Sequence, residues 1–273
     1  EIEPKPEGEW LLNDTSIGGI LRASASHWVT GLIDDVAIWS RALSEEEVGQ
    51  IAGSAVGDLI GGGGGAAADP TAEGLVAHWP LDEIQGTKTP DVVSGYDMEI
   101  TNLTADDVVP GHAGNAFSFS NERQTLLSRV HDDSDDLPAN KHAAHTISMW
   151  VNVEGEGQND LRVFSEGNTS NSNPLFNIGT HNGGSDGTVD FYIRQSGWST
   201  YGHAHSGQTA FDSTWRHIAW VQDGGDRVLY VDGVADELEI EPKPEGDWLL
   251  NDTSIGGILR ASASHWVTGL IDD

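Results

Sequence analysis

The sequence predicts an all-β protein, built as a two-sheet antiparallel sandwich with one short helix near residues 43–53. Two observations lead to this prediction. Short runs of β-branched and aromatic residues recur along the chain and often alternate with polar residues, as expected of half-buried strands. Clusters of Gly, Asn, Asp and Ser separate these runs, and many short strands divided by such turns are typical of a sandwich.

The predicted strands lie between residues 116 and 233. They are 116–120 (AFSFS), 146–153 (TISMWVNV), 189–195 (VDFYIRQ), 215–223 (WRHIAWVQD) and 227–233 (RVLYVDG). Between the last two, DGGDR (223–227) predicts a hairpin loop, and Asp232-Gly233 predicts a second turn. Alternation places Ile218 and Trp220 on one strand face. The expected core contains Ile147, Trp150, Ile218, Trp220 and Val231.

One segment carries the signals of a helix. In LSEEEVGQIAG (43–53), Ser44 can cap the first turn, and Glu47, three residues later, completes a capping box. Gly53 can end the helix because glycine adopts the backbone conformations found at helix C-termini.

The two ends of the sequence are nearly identical. Residues 1–35 (the first copy) recur as residues 239–273 (the second copy), with Glu9 replaced by Asp247. The offset of 238 residues is too long for a solenoid repeat and fits one domain plus a linker. The stretch 57–74 (GDLIGGGGGAAADPTAEG) is the predicted linker, because it has five consecutive glycines and no periodicity.

The composition restricts the partners. The chain has 13 Lys and Arg against 44 Asp and Glu, a formal net charge of −31, and no cysteine. Nucleic acids and anionic membranes would repel such a surface. No apolar run approaches the roughly 20 residues of a membrane-spanning helix. We therefore expect neither nucleic-acid binding nor membrane insertion, and a fold held together without disulfides or thiolate metal sites.

Five motifs occur in the order and spacing of a known family. They are GLVAHWPLDEIQGT, GHAGNAFSFSN, HTISMWVNVEG, TWRHIAWVQDGGDRVLYVDG and GLIDDVAIWSRALSEEEV. The chain resembles the laminin-G-like jelly rolls of the concanavalin A-like lectin/glucanase superfamily over about 74–273 and, separately, 1–53. The resemblance implies a jelly-roll sandwich. It leaves the function open, because this fold serves lectins, glycosidases, adhesion modules and spacers.

The resemblance also implies an unusual order of parts. In that family GLIDDVAIWSRALSEEEV closes the domain, and its last strand lies beside LVAHWPL. Here the second copy reaches Asp273 within that motif, and the continuation VAIWSRALSEEEV is found at 36–48. We expect 1–56 to be the C-terminal part of a preceding unit, 57–74 a linker, and 75–273 a body without its own last strand. The expected assembly strand contains Val36, Ile38, Trp39 and Leu43.

Three arrangements fit the duplication. In a tandem array, the sequence is a window cut within a longer series of units. In donor-strand exchange, residues 36–48 of one subunit complete the next, and a contact that does not close builds a fibre. In a circular permutant, 36–48 returns to its own body and one copy is redundant. The first two predict copies of the chain itself as partners, as a head-to-tail homopolymer or tandem array.

The GLIDD acids are candidate calcium ligands. The resemblance implies that Asp34 and its counterpart Asp272 help to hold a structural calcium ion, and Asp82 and Asp91 are further candidates. Calcium takes about six to eight oxygen ligands. The alternative is that these acids lie at strand ends in solvent.

A second type of site would bind glycans. In RQSGWSTYGHAHSG (194–207), Trp198 and Tyr201 lie among glycines and polar residues and are candidates for stacking on a sugar ring. An ordinary loop is the alternative. Sequons, which are compatible with an extracellular surface, occur at Asn13, Asn102, Asn168 and Asn251.

An enzymatic role is the third possibility for this fold. ELEIE (237–241) resembles the catalytic strand of laminarinases and lichenases, with Glu237 and Glu241 as the two carboxylates. We expect no catalysis, because the central residue is Glu239 where that group has Asp, and because Pro242 and Pro244 soon end the strand.

These observations together favour a non-catalytic, repetitive structural or adhesive protein of the extracellular space or cell surface. Its units would join head to tail in a filament or stalk, with strand 36–48 completing a neighbour. A carbohydrate-binding module of a secreted protein is the alternative, and a β-glucan hydrolase is the third hypothesis.

Overall fold

The computed structural model describes most of the chain. The described residues are 14–22, 24–27, 29, 31–53, 72–132, 135–184, 186–194, 200–224, 226–236, 250–259, 265–266 and 269–271. They form two β-sheets and one α-helix. All strand pairs among them are antiparallel except one, and the two sheets enclose the main hydrophobic core. The predicted all-β jelly-roll sandwich is confirmed.

The first sheet has ten strands. These are β1 (Asp14–Arg22), β2 (Ser24–Ser26), β5 (Lys88–Thr89), β6 (Met98–Thr101), β9 (Leu126–Val130), β11 (Arg162–Asn168), β12 (Asn171–Thr180), β13 (Thr188–Arg194), β14 (Thr200–Thr209) and β18 (Asp252–Leu259). Their order is β14-β13-β12-β11-β18-β1-β9-β6-β5, with β2 beside β1.

The second sheet has nine strands. These are β3 (Gly31–Trp39), β4 (Leu75–Trp79), β7 (Val108–Pro110), β8 (Asn115–Phe119), β10 (Ala144–Val153), β15 (Arg216–Asp223), β16 (Asp226–Val231), β17 (Val234–Asp236) and β19 (Gly269–Ile271). Their order is β17-β16-β15-β10-β19-β8-β7, and β3 lies between β10 and β4.

The core follows the predicted alternation, with one correction. Ile147 faces Trp220 across β10 and β15, and both side chains are fully buried between the sheets. Trp150 is also buried, but it lies on the opposite face of β10, outside the main core. The reason is parity, since Ile147 and Trp150 are an odd number of residues apart. The Trp150 ring instead stacks on His112, with 3.6 Å between the ring centroids.

The predicted turns close two consecutive hairpins. In the turn between β15 and β16, Gly224 has φ 56°. Between β16 and β17, Asp232 and Gly233 have φ of 50° and 77°. Two consecutive positive φ angles are typical of the type I′ turn, whose twist suits a hairpin.

The helix is α1 (Glu45–Ala52), and its predicted capping box is confirmed. Ser44 accepts the Glu47 amide, and the Glu47 carboxylate accepts the Ser44 amide. Arg41 pairs with Glu47 at 2.6 Å, and this hydrogen bond is the main reason that the pKa of Glu47 falls to about 2. Among the described residues, no helix has the length and apolar character needed to cross a membrane.

Candidate functional site

The predicted assembly strand is an integral part of the sandwich. Within β3, Val36 and Ile38 are fully buried in the main core, as alternation predicts. Trp39 and Leu43 lie on the other face of the sheet, in a second apolar cluster with Val48 and Ile51 of α1. The strand therefore fills a place inside the second sheet, between β10 and β4, and the helix covers part of the outer face of that sheet.

The expected contact with the opening strand is present. Residue pairs Val36–Trp79, Ala37–His78 and Ile38–Ala77 align β3 with β4. On its other edge β3 pairs with β10. In this chain the neighbours are the chain's own strands, so residues 36–52 complete the sandwich formed by residues 75–236.

The two copies of the duplicated segment contact the same residues. In the first sheet, Ile17 and Ile255 both pair with Phe164 of β11, and the duplicate serines Ser16 and Ser254 both pair with Ser165. The strands β1 and β18 run parallel, and from Asp14 to Ile17 each residue aligns with its own duplicate. This pair is the one exception to the antiparallel order.

The same coincidence occurs in the second sheet. Ile33 and Ile271 both pair with Val151 of β10, and the duplicates Leu32 and Leu270 both pair with Asn152. We call these positions beside Phe164, Ser165, Val151 and Asn152 the shared slot.

Each strand that lines the slot has one edge left for it. The other edge of β11 pairs with β12. On β10, the opposite edge pairs with β15 as far as Trp150, and beyond it Val153 accepts the Ser213 amide at 3.0 Å. A strand can pair on only two edges. The two copies therefore pair with the same remaining edge of β11 in the first sheet and of β10 in the second.

One polar side chain in the slot contacts the same residue of both copies. His131 Nε2 lies 3.2 Å from the Thr15 hydroxyl and also contacts the hydroxyl of its duplicate, Thr253. Burial lowers the pKa of His131 to about 4, so the ring is neutral at neutral pH. One ring nitrogen forms one hydrogen bond, as donor or as acceptor. His131 therefore suits one threonine at a time.

Two buried carboxyl groups border the same region. Glu166 accepts hydrogen bonds from Thr15 Oγ1 at 2.9 Å and from the amide and side chain of Asn140 at 3.1 and 2.7 Å. Asp252 is fully buried, and neither carboxyl oxygen has a hydrogen-bond partner among the described residues. Burial raises the pKa of both groups, most strongly for Asp252.

A histidine from each copy meets at the far end of the slot. The rings of His27 and His265, which are duplicates, are parallel with centroids 2.6 Å apart. Non-bonded carbon atoms prefer about 3.5–4.0 Å, so the two rings lie closer together than ordinary stacking allows. His27 Nε2 lies 2.6 Å from Asp160, which also pairs with the buried Arg162.

At this end of the slot, three side chains have the spacing of metal ligands. Ligand atoms of His27, Asp160 and His265 lie within 4.8 Å of one another. Two of the three are the same residue of the duplicated segment. A single occupant of the slot supplies one histidine, so the cluster does not carry a metal assignment.

The predicted calcium ligands do not come together among the described residues. Both oxygens of Asp91 accept backbone amides, from His78 and Val93 on one and from Ser94 and Tyr96 on the other, at 2.9–3.0 Å. Asp91 thus organises the backbone of its own loop.

The other three predicted calcium ligands lie in different surroundings. Asp82 is exposed, and its carboxylate accepts the Asn115 amide at 2.7 Å. Asp34 lies in β3, opposite Trp150, but its side chain is outside the described part. Asp272 is outside the described residues altogether, and the calcium site stays a prediction.

The other predicted sites fall largely outside the described residues. Trp198, Glu237, Glu241 and Asn13 lie there, and Tyr201 is described only as a backbone position of β14. Asn102 is exposed, whereas Asn168 is buried in β11. Asn251 is half-buried, and its side-chain oxygen accepts the Thr169 hydroxyl at 2.9 Å.

Sequence reasoning missed the polar residues of the slot. His131, Glu166 and Asp252 lie far apart in the chain and have no shared motif. The available signal was the duplication itself, because one domain has one place for a given strand.

Comparison with known families agrees with the architecture. A family model described as the concanavalin A-like lectin/glucanases superfamily matches residues 129–273, a little over half of the chain. Comparisons with curated proteins and with solved structures found no match. The matched region contains β10 to β19, which contribute to both sheets and to the slot. The chain therefore belongs to the laminin-G-like branch of the concanavalin A-like lectin/glucanase superfamily.

Proposed function

We propose that this chain is the repeating unit of a non-catalytic structural or adhesive protein of the cell surface or extracellular space. Units join head to tail, and residues 36–48 of one unit complete the sandwich of a neighbour. One observation carries the proposal. Residues 36–52 pack into the sandwich beside β4 with their apolar side chains buried, and in the sequence the predicted linker 57–74 separates them from β4.

The energetics allow the same contact between units. Burying a side chain such as Val36 or Ile38 stabilises by roughly 1.5–3 kcal/mol, and the backbone ladder to β4 adds to this. An exchanged strand keeps these contacts and changes only the connection, which is why domain swapping is an accessible route to assembly. Exchange between units would therefore conserve the buried contacts of this strand.

Support for a non-catalytic role comes from the acids. Glu166 and Asp252 have the raised pKa values that a general acid needs, but both are fully buried and out of reach of a polysaccharide. We expect no hydrolysis of β-glucans. Turnover that is abolished both in Glu237→Gln and in Glu241→Gln would contradict this and identify the chain as a hydrolase.

Cross-linking between molecules tests the assembly. The chain has no cysteine, so introduced thiols report without background. Ala37 and His78 are partners across β3 and β4. Such partners lie about 4.5–5.5 Å apart between Cα atoms, within the range that a disulfide spans. We expect a mixture of the single variants Ala37→Cys and His78→Cys to form a disulfide-linked dimer after oxidation.

A matched control measures random collision. Val92 is 57% exposed and does not face β3, so Ala37→Cys mixed with Val92→Cys should stay monomeric. If the Ala37 and His78 variants cross-link no better than this control, while the double variant cross-links within one chain, head-to-tail assembly is refuted. A self-completed carbohydrate-binding module would then be the better hypothesis.

A further inference from the structure

We propose that the two copies of the duplicated segment are alternative occupants of the shared slot, and that the copy displaced in one molecule can replace the resident copy in the slot of a second molecule of this chain. The first half stands on the geometry of the slot alone. The second half deepens the head-to-tail assembly proposed above and rests on it.

The slot recognises both copies with the same groups. Phe164 and Ser165 on one sheet, and Val151 and Asn152 on the other, each align with one residue from either copy. The copies differ at one position, Glu9 against Asp247, so their contacts with the slot are chemically equivalent. Because both copies make the same contacts at the same place, they compete for the slot.

Simultaneous occupancy is excluded by space and by hydrogen bonding. The duplicate rings of His27 and His265 would have to share one volume. His131 Nε2 would have to serve Thr15 and Thr253 together.

A displaced copy needs a new partner of the same kind. In the slot, Ile17 and Ile20 of the first copy, and Ile255 and Ile258 of the second, are fully buried. Outside it these side chains would face water, along with unpaired strand backbone, and an exposed apolar strand adds to a sheet edge. The surface that matches it in sequence and register is the slot of another molecule, where it takes the place of that molecule's own copy. Each slot then still holds one copy, so the exchange conserves the buried contacts.

Paired disulfides test whether occupancy is exclusive. One variant carries Cys at 16 and 165 and at 32 and 152, which joins the first copy to the slot at two places. The second variant replaces Leu32→Cys with Leu270→Cys, so that each copy has one cross-linking position. We expect two disulfides per chain in the first variant and one in the second, counted by intact mass after thiol alkylation.

The matched design separates exclusivity from misfolding. The first variant must yield two disulfides, and failure to do so would overturn the register of the slot. Two disulfides in the second variant would overturn exclusivity, since both copies would then be seated together. Circular dichroism of both variants checks that the sandwich is retained.

A mixing experiment tests docking between molecules. Isotopically labelled Ser16→Cys chain mixed with unlabelled Ser165→Cys chain should form a mixed disulfide whose yield rises with concentration. No mixed disulfide, with exclusive occupancy inside the chain, would refute the docking half. If Ala37 and His78 still cross-link between molecules in that case, the assembly survives and only the slot exchange is wrong.

Discussion

The duplication predicts an unusual thermodynamic cycle. Ile17 and Ile255 are fully buried opposite Phe164, and they are the same residue of the two copies. Truncating a buried Ile to Ala costs about 2–5 kcal/mol. If the other copy can take the slot, Ile17→Ala should cost far less, about 0.4 kcal/mol (RT ln 2) for equal occupants. The double variant Ile17→Ala/Ile255→Ala should lose the full 2–5 kcal/mol.

Urea unfolding followed by tryptophan fluorescence measures this cycle, since the chain has ten tryptophans. Ile178 is an equally buried residue outside the duplication, so Ile178→Ala should cost the full amount in one step. Single variants whose costs add up to that of the double variant would refute alternative occupancy. One costly and one silent substitution would mean that a single copy holds the slot permanently.

Three further predictions concern buried and acidic groups. His131 has a folded pKa of about 4, below its ordinary 6.5, so its contribution is present above pH 6.5 and is lost as pH falls toward 4. The difference in unfolding free energy between wild type and His131→Asn should change by roughly 3 kcal/mol between pH 7 and pH 4, measured by urea unfolding. A difference that stays constant with pH would contradict the burial argument. Asp91→Ala should cost roughly 3 kcal/mol or more in the same assay, because four backbone amides lose a charged acceptor, whereas Asp91→Asn should cost less. If Asp34 or Asp272 binds calcium, chelation at constant ionic strength should lower the Tm and added calcium should restore it; an unchanged Tm removes calcium.

Local signals were enough for the helix and for most of the core. Ser44, Glu47 and Gly53 act within one turn, and the observed helix begins and ends at the residues that they predict. Alternation in 215–223 correctly put Ile218 and Trp220 inside. The helix ends and the strand faces depend on residues that are close together in the sequence, so both could be predicted from it.

Features that depend on distant residues were missed. Trp150 looks like a core residue, but its place is set by strand parity and by His112, 38 residues earlier, which covers its ring. The role of Asp91 in its loop was also missed, because its oxygens accept amides that only the folded loop brings together. Residue type indicates that a carboxylate needs partners and does not indicate which ones it finds.

Charge affects the balance between docking within one chain and docking between chains. Each chain carries a formal net charge of −31, so two molecules repel each other when they dock. Exchange of the two copies within one chain brings no second molecule close and adds no such repulsion. Salt screens this repulsion over about 10 Å at 0.1 M and about 3 Å at 1 M. The yield of cross-links between molecules should therefore rise with ionic strength, while the ratio of the two copies in the slot stays constant. A yield that falls with salt would mean that attraction between charged surfaces joins the units, and the apolar strand contact of Val36 and Ile38 would lose its central role.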